Sequence, residues 1–150
     1  MPKEVLRSQR FLETLNDFGA ADAPLAEKMS AYYLYHAPRT VFLFPNTMKV
    51  LAYLHEKYPL YIITNGFEEV QHIKMKTSGM DQYFSCIITS EAAGVKKPAA
   101  EIFHYAMKQS NAEPSFSLMI GDDPEVDVQG AINTGMDAIL FDPHQIHQNT

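Results

Sequence analysis

The sequence is poor in cysteine and in positive charge, and it lacks a long apolar run. Its one cysteine, Cys86, excludes a disulfide within the chain and favours a reducing compartment. Twelve Lys and Arg residues against 18 Asp and Glu residues give a formal charge of -6, which argues against nucleic acid and anionic membranes as partners. No stretch approaches the ~20 apolar residues of a membrane span, and the first residues lack the apolar core of a signal peptide. We therefore expect a cytoplasmic protein.

The apolar pattern predicts helices first and a strand–helix alternation afterwards. Helical spacing covers residues 3–18, a second helix follows a capping Asp22 up to His36, and a third is capped by Asn46 and runs to Tyr58. Further on, four apolar strands are separated by three helices. The predicted strands are residues 60–64, 86–89, 117–120 and 137–141, and the helices between them are residues 68–79, 99–109 and 126–134. Because strands that alternate with helices form right-handed βαβ units, we predict an α/β fold with a doubly wound parallel sheet.

Three carboxylates follow the third predicted strand, which ends at Gly121. They are Asp122, Asp123 and Asp127. Clustered carboxylates bury poorly, and the carboxyl end of a strand is where open α/β sheets bind ligands. Oxygen ligands of this kind suit Mg²⁺ better than zinc. The sequence is equally compatible with a solvated acidic turn that leads into a helix, with Pro124 near the first helical position.

Polar residues also follow the first two predicted strands. Thr64 and Asn65 end the first, and Lys97 lies between the second strand and its helix. In a parallel sheet these groups share one edge with the acidic turn. A Thr hydroxyl can donate to phosphate oxygens, a Lys can neutralise charge shared between phosphate and nucleophile, and a carboxylate-held Mg²⁺ can bridge to the phosphate. Each residue alone is more typical of a strand end, a turn or a solvated loop.

The order of these polar residues and their placement after the predicted strands make the chain resemble the haloacid dehalogenase-like (HAD) hydrolase superfamily from about residue 45 to residue 143. Its second motif, an apolar strand ending in Thr or Ser, is matched by residues 61–66, and its third, a Lys before Pro, by residues 94–98. Its fourth, an apolar strand followed by Gly-Asp and another Asp, is matched by residues 120–127. Residues 64–71 look like the noncanonical pyrimidine nucleotidase branch. We therefore divide the chain into a partial helical cap, residues 1–37, and a HAD-like α/β core, residues 38–150.

The resemblance implies a role for each candidate residue. Thr64 and Lys97 would be the catalytic pair, with Thr64 and Asn65 on the transferring phosphate and Lys97 bridging phosphate and nucleophile. Asp122 would be the ligand of Mg²⁺, with Asp123 as a less certain ligand. Asp127 would orient Lys97 or the metal shell, or else cap the helix that follows.

The first motif of the family, an Asp-x-Asp that supplies the nucleophile and the acid/base, does not occur in this sequence. The chain therefore resembles a family member without its N-terminal segment. In the family's strand order the missing strand lies between the one ending at Thr64 and the one ending at Ile120. We predict that this gap is closed by direct pairing of those strands or by association with another chain, such as a second copy.

Three functions were weighed on these grounds. The first is a phosphohydrolase whose complete form acts on a nucleoside monophosphate, a sugar phosphate or a similar small phosphate, while this chain alone is inactive. The second is a non-catalytic HAD-like domain that binds phosphate, Mg²⁺ or a protein partner. The third, a signalling receiver domain, fits poorly, because its acidic pair comes first in the chain whereas here it follows Thr64 and Lys97.

Overall fold

The structure, a computed structural model, describes residues 3–144, with the side chains of residues 5–144. Its helices are α1 (Lys3–Asp17), α2 (Ala23–His36), α3 (Thr47–His55), α4 (Glu68–Ser78), α5 (Ser90–Ala93), α6 (Ala100–Ser110) and α7 (Gly130–Ile132), and its strands are β1 (Leu60–Thr64), β2 (Phe84–Thr89), β3 (Leu118–Gly121) and β4 (Asp137–Leu140). A π-helical turn, Pro124–Gln129, leads directly into α7. None of the helices in this range is long and apolar enough to cross a membrane.

The helical pair at the start of the chain forms as its pattern predicts. Helix α1 is followed by Gly19, whose φ of 69° is the left-handed conformation that glycine adopts readily at a helix end. Asp22 then caps α2, because its Oδ1 accepts a hydrogen bond of 2.9 Å from the Leu25 amide. The two helices pack together, and the rings of Phe11 and Tyr33 lie 5.9 Å apart. The assignment of residues 1–37 to a separate cap stays a prediction.

The strands are parallel, as predicted, but they pair two by two. Strand β1 pairs with β2 and strand β3 pairs with β4, and within residues 3–144 no ladder joins β1 to β3. The prediction that β1 and β3 pair directly is therefore wrong, whereas closure by association stays a prediction. Ile63 of β1 and Met119 of β3 both pack against one buried cluster, so that closing the sheet would require that cluster to repack.

That cluster is the core of the α/β part, and helix α6 supplies much of it. Its buried members are Ile88, Ile102, Phe103, Ala106, Ala131 and Met136. The opposite face of the β3–β4 pair is open, because Leu118, Ile120 and Ile139 are each about half exposed. The core thus holds the two strand pairs on one side and leaves apolar side chains of β3 and β4 uncovered on the other.

Several predicted boundaries differ from the structure. Strand β2 begins at Phe84, before the expected residue 86, and α3 ends at His55, before Tyr58. Asn46 precedes α3 but does not cap it through its side chain, since its φ of 66° is left-handed whereas capping residues are extended. The short helix α5 was not predicted. Residues 145–150, which end the predicted core, lie outside the described residues.

Candidate active site at the strand ends

One buried ion pair brings together the loop that follows β2 and α5 and the acidic turn that follows β3. Lys97 Nζ lies 2.5 Å from Asp127 Oδ1, and the two side chains are only 11% and 7% exposed. An ion pair removed from water to this extent needs good geometry, because each charge loses its hydration. The pair therefore fixes the Lys97 ammonium close to the acidic turn after β3.

Asn65 holds the backbone of the same lysine from the end of β1. Its Nδ2 donates to the Lys97 carbonyl at 3.0 Å, and its Oδ1 accepts from the Lys97 amide at 2.8 Å. These two hydrogen bonds span 32 residues of sequence and join the end of β1 to the loop after α5. Asn65 is thus a positioning residue for Lys97 in this structure, and its predicted contact with phosphate stays a prediction.

Thr64, the last residue of β1, presents its hydroxyl at the same edge. Its Oγ1 accepts a hydrogen bond of 3.0 Å from the Gly66 amide, which leaves the hydroxyl proton available for donation to a ligand. A side chain at Gly66 would meet Gln71, since a Cβ there would lie 2.1 Å from Gln71 Nε2. The turn after β1 therefore packs closely around a hydroxyl that can donate.

The carboxylates of the acidic turn after β3 make different contacts. Asp123 caps the helix that follows, because its Oδ1 accepts from the amides of Glu125 at 3.0 Å and Val126 at 2.8 Å. Asp127 lies inside that helix, and its Oδ2 accepts from the Asp123 amide at 3.3 Å. A Cβ at Gly121 would lie 2.3 Å from Asp127 Cβ, so glycine is needed for this approach. The capping role considered for Asp127 thus falls to Asp123.

Asp122 is the carboxylate of this turn best placed to take a cation. It is exposed at the carboxyl end of β3, and among the described residues no hydrogen bond or ion pair to it is found. Carboxylate oxygens fit a hard cation such as Mg²⁺. Within residues 5–144, however, no group of three or more Asp, Glu, His or Cys side chains is arranged to hold a metal ion. The ligand roles of Asp122, Asp123 and Asp127 therefore stay predictions.

Sequence reasoning missed an arginine that reaches this edge from α1. Arg7 lies 4.4 Å from the centre of the Phe67 ring, and its Nη2 is 2.5 Å from Glu69 Oε1. It lines a cleft of about 480 Å³ together with Asn65 and Lys96. The helical pattern of α1 gave no sign of this contact, since Arg7 is separated from Glu69 by 62 residues. The two arginines three apart on α1, Arg7 and Arg10, were the available signal.

Comparison with known proteins finds relatives among nucleotidases and phosphatases. The pyrimidine 5'-nucleotidase YjjG of Escherichia coli is 35% identical over 105 residues, which are 69% of this chain and 47% of that protein. The N-acylneuraminate-9-phosphatase of Homo sapiens is 29% identical over 140 residues, 91% of this chain and 56% of that protein. The chain thus spans about half the length of these relatives.

A solved structure and a family model give the same result. The HAD-hydrolase YfnB from Bacillus subtilis, solved bound to magnesium, has a TM-score of 0.80 and 29% identity, covering 96% of this chain and 64% of that one. The family model described as haloacid dehalogenase-like hydrolase matches residues 6–141. This match includes every candidate site residue, from Thr64 to Asp127. The chain belongs to the haloacid dehalogenase-like hydrolases.

Proposed function

We propose that this chain carries the phosphate-binding half of a Mg²⁺-dependent phosphohydrolase of the HAD type. The observation that carries the proposal is the buried Lys97–Asp127 ion pair, 2.5 Å long, at the same strand edge as the Thr64 hydroxyl. A cation and a hydroxyl donor held this way suit the oxygens of a phosphate monoester. Asn65 supports the site by holding the Lys97 backbone.

The proposed roles follow from these contacts. Thr64 donates to a phosphate oxygen, while Lys97 neutralises charge that develops between the phosphate and the attacking group. Asp127 orients the Lys97 ammonium. Asp122, with Asp123 beside it, contributes to a magnesium site, and the ion would supply charge neutralisation at the phosphate.

The nucleophile must come from outside these 150 residues, since the sequence contains no Asp-x-Asp. In the complete form, one Asp carboxylate attacks phosphorus, and the second gives a proton to the leaving alcohol. Water then hydrolyses the aspartyl-phosphate and releases inorganic phosphate. We therefore expect the chain alone to bind phosphate without turnover.

The substrate class is a small phosphate monoester. The relatives carry names such as pyrimidine 5'-nucleotidase, N-acylneuraminate-9-phosphatase and glyceraldehyde 3-phosphate phosphatase, which are nucleotide or sugar-phosphate activities. A cytoplasmic location, the absence of nucleic-acid and membrane partners, and self-association through open strand edges belong to the same proposal. A second candidate, a non-catalytic domain that binds phosphate, Mg²⁺ or a protein, is favoured by the lack of Asp-x-Asp.

Titration calorimetry with orthophosphate, with and without Mg²⁺, tests the phosphate site directly. We expect Lys97→Ala and Thr64→Val each to weaken binding by roughly tenfold or more, since each removes a donor to a charged ligand. Thr64→Val leaves the Lys97–Asp127 ion pair intact, so weaker phosphate binding in this variant cannot be attributed to loss of that pair. Lys108→Ala, on the far end of α6, is the matched control and retains binding.

Two outcomes would contradict the proposal. One is a chain that binds no phosphate, and the other is binding that neither site variant weakens. Hydrolysis of an aryl phosphate in Mg²⁺ separates the two candidate functions: a complete form that turns over is the enzyme, and one that only binds is the non-catalytic domain. Turnover by these 150 residues alone would refute the requirement for the missing aspartates.

A further inference from the structure

We propose that the cleft between α1 and the ends of β1 and β2 binds a second anionic group of the substrate. That group is a carboxylate or a second phosphate, carried on the alcohol part of the phosphate monoester. The inference rests on the proposed function, because it takes the transferring phosphate to lie at Thr64 and Lys97. It narrows the substrate class from any small phosphate monoester to one with a further acidic group.

The cleft is of a suitable size and adjoins the phosphate site. Its volume of about 480 Å³ is that of a small-molecule site. Asn65 lines the cleft, and the same side chain makes both hydrogen bonds to the Lys97 backbone. The alcohol part of an ester whose phosphate lies at Lys97 therefore has this cleft as a neighbouring space.

The charge of the cleft is opposite to that of the whole chain. Three cationic side chains line it, Arg7, Arg10 and Lys96, against one carboxylate, Glu91. Glu91 is in addition engaged by the backbone, since its Oε2 accepts from the Glu68 amide at 2.8 Å. A concave surface of one sign concentrates ligands of the other sign. An acidic alcohol part can form charge-assisted hydrogen bonds with these cations, which are stronger than the bonds a neutral one can form.

Arg7 is the group that gives the site its specificity. Its side chain is 12% exposed, its guanidinium rests on the Phe67 ring, and one of its terminal nitrogens pairs with Glu69. Its Nε is buried and has no hydrogen-bond partner among the described residues. A buried N–H without an acceptor is costly. Guanidinium donors bind carboxylate and phosphate oxygens two at a time, and Arg7 lines the cleft, so an anion in the cleft would have this cation beside it.

Glu69 holds the Arg7 guanidinium in the structure but does not itself line the cleft. Glu69 is 56% exposed, so that it can move into water at little cost when a ligand carboxylate replaces it. The Glu69 carboxylate thus competes with the ligand, and removing its charge should strengthen binding.

The test compares ligands that differ only in the second acidic group. Phosphonoacetate, phosphonopropionate and phosphonobutyrate are titrated against ethyl-, propyl- and butylphosphonate in the presence of Mg²⁺, using the chain as it is. Phosphonates resist hydrolysis, so the dissociation constants are unaffected by any turnover. For at least one chain length we expect the carboxylate to bind roughly tenfold more tightly, the gain of one charge-assisted pair.

Three variants assign the preference to the cleft. Arg7→Gln should bring the ratio of the two dissociation constants close to one, whereas Glu69→Gln should raise it. Both variants remove the Arg7–Glu69 ion pair, yet they should move the ratio in opposite directions, so general destabilisation cannot explain both results. Arg39→Gln is the matched control, since Arg39 also lies over an aromatic ring, that of Tyr35 at 4.3 Å, but outside this cleft. It should leave the ratio unchanged.

The outcomes separate this inference from the function on which it rests. Equal binding of the phosphonocarboxylates and the alkylphosphonates overturns the proposal that the cleft binds a second anionic group. It leaves the proposed phosphate site unaffected. A preference that survives Arg7→Gln overturns the assignment to Arg7. Failure of every phosphonate to bind overturns the proposed function itself. A preference lost in Arg7→Gln and enhanced in Glu69→Gln supports the inference.

Discussion

At the scale of single residues, the site depends on contacts that leave little freedom. Lys97 is held twice, by Asn65 at its backbone and by Asp127 at its ammonium. Gly121 lets the Asp127 side chain come close to the end of β3. The Lys97–Asp127 ion pair joins the ends of two strand pairs that share no ladder. Stability and ligand binding are therefore coupled at this edge, and substitutions should affect both.

The contributions of Lys97 and Asp127 to the free energy of unfolding should be strongly coupled. Lys97→Met leaves the Asp127 carboxylate buried without its cation, and Asp127→Asn leaves the ammonium without its anion. We expect each to lower the free energy of unfolding by about 3 kcal/mol, because an unpaired buried charge is left behind. The double variant should lose far less than the sum. Urea unfolding followed by circular dichroism measures all three, and additive losses would refute the coupling.

The two close-packed glycines should respond differently to alanine. Gly121→Ala places a methyl group against the Asp127 Cβ and carboxyl carbon, which the ion pair holds in place, so we expect a loss of about 1–3 kcal/mol in stability. In Gly66→Ala the methyl group meets the end of the Gln71 side chain, which can rotate away. Thermal unfolding of the two variants compares them, and an equal loss in both would contradict this account.

At the scale of elements, the β3–β4 pair has one packed face and one open face. Met119 packs against the core, whereas Ile120, its neighbour, is 52% exposed. We expect Met119→Thr to cost about 1–2 kcal/mol, since it removes apolar contacts and places a hydroxyl against the core. Ile120→Thr should change stability by less than about 0.5 kcal/mol, as surface substitutions do. Urea unfolding tests the pair, and a reversed order would mean that this face is covered in solution.

The elements were predictable where local pattern and end signals agree. Helix α2 begins after Asp22 because a side-chain carboxylate satisfies an amide, a local event. Thr64 ends the first parallel strand, and Lys97 and Asp127 follow the next two in order, which predicted a common edge; Lys97 and Asp127 form an ion pair. The Asn65 contacts and the Arg7 cleft depend on residues far apart in sequence, which no periodicity reveals. The direct pairing of β1 with β3 failed because the core, rather than the ladder, decides the spacing of the strands.

At the scale of the whole molecule, several observations agree with the proposal that the site needs a further strand. Strands β1 and β3 lie in separate ladders, no group of three or more metal-ligating side chains is found among the described residues, and no Asp-x-Asp occurs in the sequence. The chain also spans 47% of one relative and 56% of another. A strand that carries two aspartates and lies between β1 and β3 would complete the sheet and the magnesium site. It would also supply the nucleophile and the acid/base. We treat these as one hypothesis because one segment serves all three.

That hypothesis predicts a gain of function in a chimera. Joining to residue 1 an apolar strand that ends in an Asp-x-Asp should confer Mg²⁺-dependent hydrolysis of an aryl phosphate, at least about a hundredfold above the chain alone, as one general acid or base contributes. A second chimera, with Asn at both aspartates, should unfold at the same temperature as the first yet remain inactive, since it fills the gap without the nucleophile. Lys97→Ala should abolish the acquired turnover. If the first chimera is more stable than the chain alone but does not turn over, the added segment has only a structural role. Turnover in the Asn chimera would show that its two aspartates are not the nucleophile and the acid/base.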